Sequence, residues 1–191
     1  MKKLFFSSLV ATSVLFGSTS VDININNDTL ELNGDVLLND MFNLSNNANY
    51  YCGVSYLTTK SNGNKSNQNL STVSFKALNP YVDNYGFNIG MGIKTVYSNQ
   101  LDMNFNAVAL GLFFKYELNE AIYFNLDANY APRVLSFMNA EKYSDIKLKM
   151  NYKVLDGGYI YVGGRNITTR YENKKDIKFD DSIFFGYQVK F

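Results

Sequence analysis

Histidine and tryptophan are absent from this 191-residue sequence, cysteine occurs once and proline twice. Without histidine no Ser–His or Asp–His general base can be assembled, and no Cys/His metal cluster can form. Cys52 cannot make an intramolecular disulfide, has no imidazole to activate it, and does not follow a lipobox-like run. An excess of one charge is also missing. Eighteen Lys and Arg nearly balance seventeen Asp and Glu, which argues against nucleic acid as a partner. After residue 20 no run approaches the ~18 apolar residues of a transmembrane helix. Asp176, Asp180 and Asp181 lack EF-hand spacing, and Asp180-Asp181 reads as a solvated loop end rather than a catalytic pair. "VGGR" (162–165) has too few glycines for a phosphate loop and reads as a strand bulge. No cofactor and no metal is implied.

What is present begins with "MKKLFFSSLVATSVLFGSTS". Two lysines, a short apolar core and small residues at Ser18 and Ser20 mark residues 1–20 as a cleavable secretory signal peptide. Its removal takes the formal charge from +1 to about −1.

From residue 49 onward almost every stretch alternates. In "DIKLKMNYKV" (145–154) Asp, Lys, Lys, Asn and Lys interleave with Ile, Leu, Met, Tyr and Val. That is the period of a β-strand with one polar and one apolar face. Seven other segments behave alike, at 49–58, 71–77, 85–95, 105–118, 121–131, 159–171 and 181–191. The linkers at 60–69, 132–144 and 172–180 are long and polar, while 79–84, 119–120 and 156–158 are short. Long on one side and short on the other is the pattern of an outer-membrane barrel, with short turns periplasmic. Residues 21–48 add either a first hairpin or an N-terminal extension, so the expected barrel has eight or ten antiparallel strands.

The apolar stripe then faces lipid. Ile183, Phe185, Tyr187, Val189 and the terminal Phe191 form a stripe like the recognition strand read by the barrel-assembly machinery. Tyr50, Tyr56, Tyr85, Tyr116, Tyr130 and Tyr152 sit near strand ends, where interfacial girdles require aromatics. The opposite phase places Lys94, Lys115, Glu117, Asp127, Asp145, Lys147, Lys149 and Lys153 in the lumen. Arg165 joins them if Ile160 and Val162 are outward. Such a set either pairs into a plug or lines a narrow, basic pore that favours anions. A soluble lipocalin-like binder is the alternative in which the apolar stripe faces a core.

The chain resembles the YfaZ-type family of small bacterial outer-membrane β-barrel proteins. The resemblance rests on length, leader, "NNDTLEL" (26–32), "YYCGVSYL" (50–57), "YVGGRNITTRYE" (161–172) and the terminal "FFGYQVKF". It implies an outer-membrane barrel and offers no catalytic residues. The sequence therefore leads to an exported, non-enzymatic barrel with a structural or surface-interaction role, its loops meeting an unspecified extracellular ligand. The alternative is a narrow diffusion channel.

Overall fold

A computed structural model describes residues 19–44, 48–59, 68–79, 86–100, 103–172 and 176–191. The strands are β1 (Thr19–Ile25), β2 (Thr29–Leu37), β3 (Asn49–Thr59), β4 (Asn69–Asn79), β5 (Phe87–Gln100) and β6 (Met103–Glu117). They continue with β7 (Ile122–Ala131), β8 (Ser136–Met138), β9 (Ala140–Leu155), β10 (Gly158–Tyr171) and β11 (Asp176–Lys190). Every pairing is antiparallel, and β11 returns to β1 to close the sheet. The three-residue β8 pairs with Phe105–Ala107 of β6 above the point where β7 leaves it. The result is a ten-stranded up-and-down barrel patched by one short strand. Closure leaves no unpaired edge for lipid to meet, the condition a sheet must satisfy to span a membrane.

Side-chain alternation sets the two surfaces. Outward stand Val73, Met91, Ile93, Leu110, Leu112, Ile146, Leu148, Ile160 and Ile183, with Met91 and Ile183 68% and 69% exposed. An apolar band of this size on a closed sheet is a lipid surface, and the protein is an outer-membrane β-barrel. Tyr116 and Tyr152 lie outward at the end holding the termini, Tyr56 and Tyr130 at the other. Tyr50 is half-buried at the termini end. Tyr85 lies outside the described residues. The stripe Ile183, Phe185, Tyr187, Val189 and Phe191 runs down the lipid side of β11.

Several boundaries differ from the alternation alone. Residues 19–37 form a complete first hairpin, so the count is ten. β1 already includes Thr19 and Ser20, the last two residues of the expected leader; residues 1–18 lie outside the described residues. β5, β6, β9, β10 and β11 run for 14 to 16 residues. β11 absorbs most of the linker at 172–180, because ladder pairing continues where the hydrophobic pattern lapses. On the termini side, the described residues after β2 include one helical turn, α1 (Asn39–Phe42). The Asn39 amide ties that turn down, accepting from the Tyr50 N–H at 2.8 Å and donating to the Ala48 carbonyl at 2.7 Å. The Asp156-Gly157 turn between β9 and β10 works because Gly157 takes φ +76°. Lys153 donates to Asp156 there at 2.8 Å and holds its carboxyl below the usual range.

"VGGR" does not bulge. β10 keeps its register with β9 and β11 from Tyr159 to Ile167. The irregularity lies across the ladder, where Ile167 opposes Asp180 but Thr168 opposes Lys178. Phe179 and Asp180 consequently both turn inward and both are buried. Asp180 is therefore no solvated loop end.

Candidate functional site: the barrel lumen

The lumen has three levels. Furthest from the termini, inward side chains form an apolar plug in which Phe105, Tyr143, Tyr171, Leu57, Leu70, Val96 and Ile167 are buried. The Phe105 ring lies 5.9 Å from both Tyr143 and Tyr171, edge-on to the latter.

Below the plug lies a belt of charge. The Arg165 side chain is 0% exposed. Its Nε donates to Asp180, Nη1 to Glu31 at 2.6 Å and Asn24 at 3.0 Å, and Nη2 to Thr29 at 2.5 Å. Glu31 also accepts from Lys147 at 2.6 and 2.9 Å and from the Asn24 amide at 2.8 Å. One guanidinium, one ammonium and two carboxylates thus neutralise one another across β2, β9, β10 and β11. Lys149 reaches Asp22 at 3.0 Å and lies 4.7 Å from the Tyr161 ring, whose hydroxyl also donates to Asp22. Lys94 pairs with Asp145 at 2.5 Å and Lys76 with Asp35 at 3.4 Å. Charges this deep are tolerable only when paired and hydrogen-bonded.

Glycines make room for the rings between these ions. A Cβ on Gly186 would overlap the Tyr161 ring, and one on Gly163 would stand 2.5 Å from Phe184. Arg165 then lies over Phe184, its Cζ 4.8 Å from the ring centre.

Toward the termini a cavity of about 170 Å³ opens, lined among others by Lys76, Lys115, Tyr123, Asp127, Lys149 and Lys190. Lys115 pairs with Glu117 at its mouth. Lys153 stands at the rim with Asp156, away from the belt. The lumen set read from sequence is therefore divided. Lys94, Asp145, Lys147, Lys149 and Arg165 come together, Asp127 faces the cavity, and Lys115, Glu117 and Lys153 stay near its mouth.

Asp22, Glu31, Asp35, Lys76, Asp180 and Lys190 complete the lumen and are not in that set. Their acids answer the basic ladder at the belt, so that level of the lumen is ion-paired rather than basic as expected for the channel alternative. The signal for two of them is local: in "VDININ" and "TLELNG", Asp22 and Glu31 occupy the polar phase. Asp176, Asp180 and Asp181 each answer a cation, respectively Arg170, Arg165 and Lys178. Among the described residues no cluster of three carboxylate or thiol side chains is arranged for a metal.

A family model described as YfaZ precursor matches residues 8–191. No curated protein matches the chain. Among solved structures it is similar to the outer membrane channel DcaP of Acinetobacter baumannii, with 12% identity, a TM-score of 0.49, and coverage of 89% of this chain and 54% of DcaP. It is similar to the KdgM porin, solved in complex with disordered oligogalacturonate, with 14% identity, a TM-score of 0.46, and coverage of 91% and 99%. The outer-membrane expressed OmpT of Vibrio cholerae gives 13% identity, a TM-score of 0.42, and coverage of 85% and 56%. The chain thus spans about half the length of DcaP and of OmpT.

Proposed function

The chain belongs to the YfaZ family, and from that premise we propose that it is a non-enzymatic outer-membrane barrel, sealed at rest, that serves the envelope as a structural or surface-interaction element. One observation carries the reading: the fully buried Arg165, held by Glu31, Asp180, Asn24 and Thr29 across the lumen. A conducting pathway must pass this belt, and the apolar plug lies directly beyond it. Separating the buried ions costs several kcal/mol per ion, so thermal opening is rare. The absence of histidine supports the non-enzymatic half of the reading.

Interaction with the outside falls to the connections at the plug end. Segment 132–144 lies within the described residues. Residues 60–67 and 173–175 of the other two long linkers lie outside them. Assembly into the membrane is assigned to the barrel-assembly machinery, reading the lipid-facing stripe of β11.

Planar-bilayer recording of the refolded chain tests the seal. Folded, heat-modifiable protein should give no discrete current steps. Reproducible steps that change sign preference in Lys147→Glu/Lys149→Glu would overturn the sealed reading and establish the channel alternative.

A further inference from the structure

We propose that the termini-side half of the lumen is a binding pocket for a small oxyanion, a carboxylate or phosphate group offered from the periplasmic side. It goes beyond the sealed-barrel reading, because the pocket lies below the belt and needs no passage through it.

The argument starts from Lys190. Its Nζ lies 4.5 Å from the ring centres of both Tyr123 and Tyr159, and no carboxylate stands within ion-pair distance among the described residues. The Lys115 Nζ lies 5.1 Å from the same Tyr123 ring. Two ammonium groups therefore converge on one aromatic side chain. Among the described residues the only acid paired with either is Glu117, which is half exposed.

The neutral groups add donors. The Tyr123 hydroxyl donates to Gln188 Oε1 at 2.7 Å, which leaves the Gln188 amide N–H groups for another acceptor. Asn151 Nδ2 donates to Asn125 Oδ1 at 3.1 Å, which similarly leaves the Asn125 amide nitrogen. Of the two carboxylates lining the cavity, Asp35 is engaged deeper in, where it holds Lys76 at 3.4 Å. Four lysines and two aspartates line the space. Two converging cations and two amide donors are what an oxyanion requires, since it accepts several hydrogen bonds and carries the missing charge.

Size narrows the class. A volume of about 170 Å³ exceeds several times the ~30 Å³ share of one water. It accommodates a phosphate, a short carboxylic acid or the charged tip of a longer molecule. Above the pocket stand the ion pairs Lys149–Asp22 and Lys147–Glu31.

Titration of the detergent-refolded chain with inorganic phosphate and with acetate, at constant ionic strength made up with chloride, tests the assignment. Backbone amide shifts at Lys115, Tyr123, Gln188 and Lys190 should move together and saturate. Saturation with both probes assigns any oxyanion, acetate alone a carboxylate site, phosphate alone a phosphate site. In Lys115→Gln/Lys190→Gln the apparent affinity should fall at least tenfold, while Lys142→Gln at the opposite rim binds as the parent does. A heat-modifiable gel shift checks that each variant folds. Should the double variant not fold, Lys190→Gln alone must still weaken binding severalfold. Shifts that never saturate, that chloride reproduces, or that persist in the folded lysine variants would overturn the proposal.

Discussion

Arg165 and Glu31 are separated by 134 positions in the chain and meet at 2.6 Å in the middle of the barrel, both side chains nearly free of solvent. Their pairing links the first hairpin to the penultimate strand through the lumen, independently of the ladder that joins them around the wall.

Removing one side of that pair strands its partners. Arg165→Met should leave Glu31 and Asp180 buried without their guanidinium and destabilise the barrel by about 3–5 kcal/mol. The double change Arg165→Met/Asp180→Asn should be less damaging than the single one, because Glu31 keeps Lys147 as its partner and no belt acid is left uncompensated. Urea midpoints of the refolded proteins, read by the heat-modifiable gel shift, give the order directly.

The plug obeys packing energetics. Phe105→Ala removes a fully buried ring from contact with Tyr143 and Tyr171 and should cost about 3–5 kcal/mol. The same substitution at the exposed Phe137 should cost far less. Equilibrium unfolding of the two variants side by side is the check.

Two glycines of neighbouring strands should answer oppositely to one methyl group. Gly186→Ala drives a Cβ into the Tyr161 ring and should cost about 1–3 kcal/mol. At Gly164 no heavy atom lies within 4 Å of an added Cβ, so Gly164→Ala should be neutral or slightly stabilising. Thermal midpoints in detergent separate the two.

Polarity of the wall is testable at Leu148, whose lipid-facing side chain is flanked by Ile146 and Met150. Leu148→Arg near the bilayer midplane should destabilise insertion by about 2–4 kcal/mol. A soluble protein with a single exposed leucine would be indifferent to the change. Folding titrations into lipid vesicles decide between these outcomes.

Much of this arrangement is legible in the residues themselves. The alternation of 145–154 by itself sends Ile146, Leu148, Met150 and Tyr152 to lipid and Asp145, Lys147 and Lys149 inward. Where it misleads, a long-range cause intervenes. "DDSIFF" contains nothing to announce that Asp180 is buried, because the bulge arises from how β11 registers against Ile167 and Thr168 of β10. "VDININ" is short enough to be either a strand or an extension. Asp22 acquires its role only when β1 pairs with both β2 and β11. The counter-ions of Lys147 and Lys149 lie more than a hundred positions away. Local patterning assigns each charge a face but cannot assign it a partner. Lys190 is invisible for a different reason, since its environment is made by rings from β7 and β10.

The N–H of Phe191 donates to the carbonyl of Thr19 at 2.8 Å, the last rung of the seam between β11 and β1. A meander whose first strand waits for its last cannot close while any part of the chain is still arriving. Every partly assembled form carries two raw margins, one along β1 and one along the newest strand, each able to seize a foreign strand. Closure is therefore a single terminal event with high sequence separation, and so intrinsically slow. Both margins stay open to such pairing until β11 meets β1.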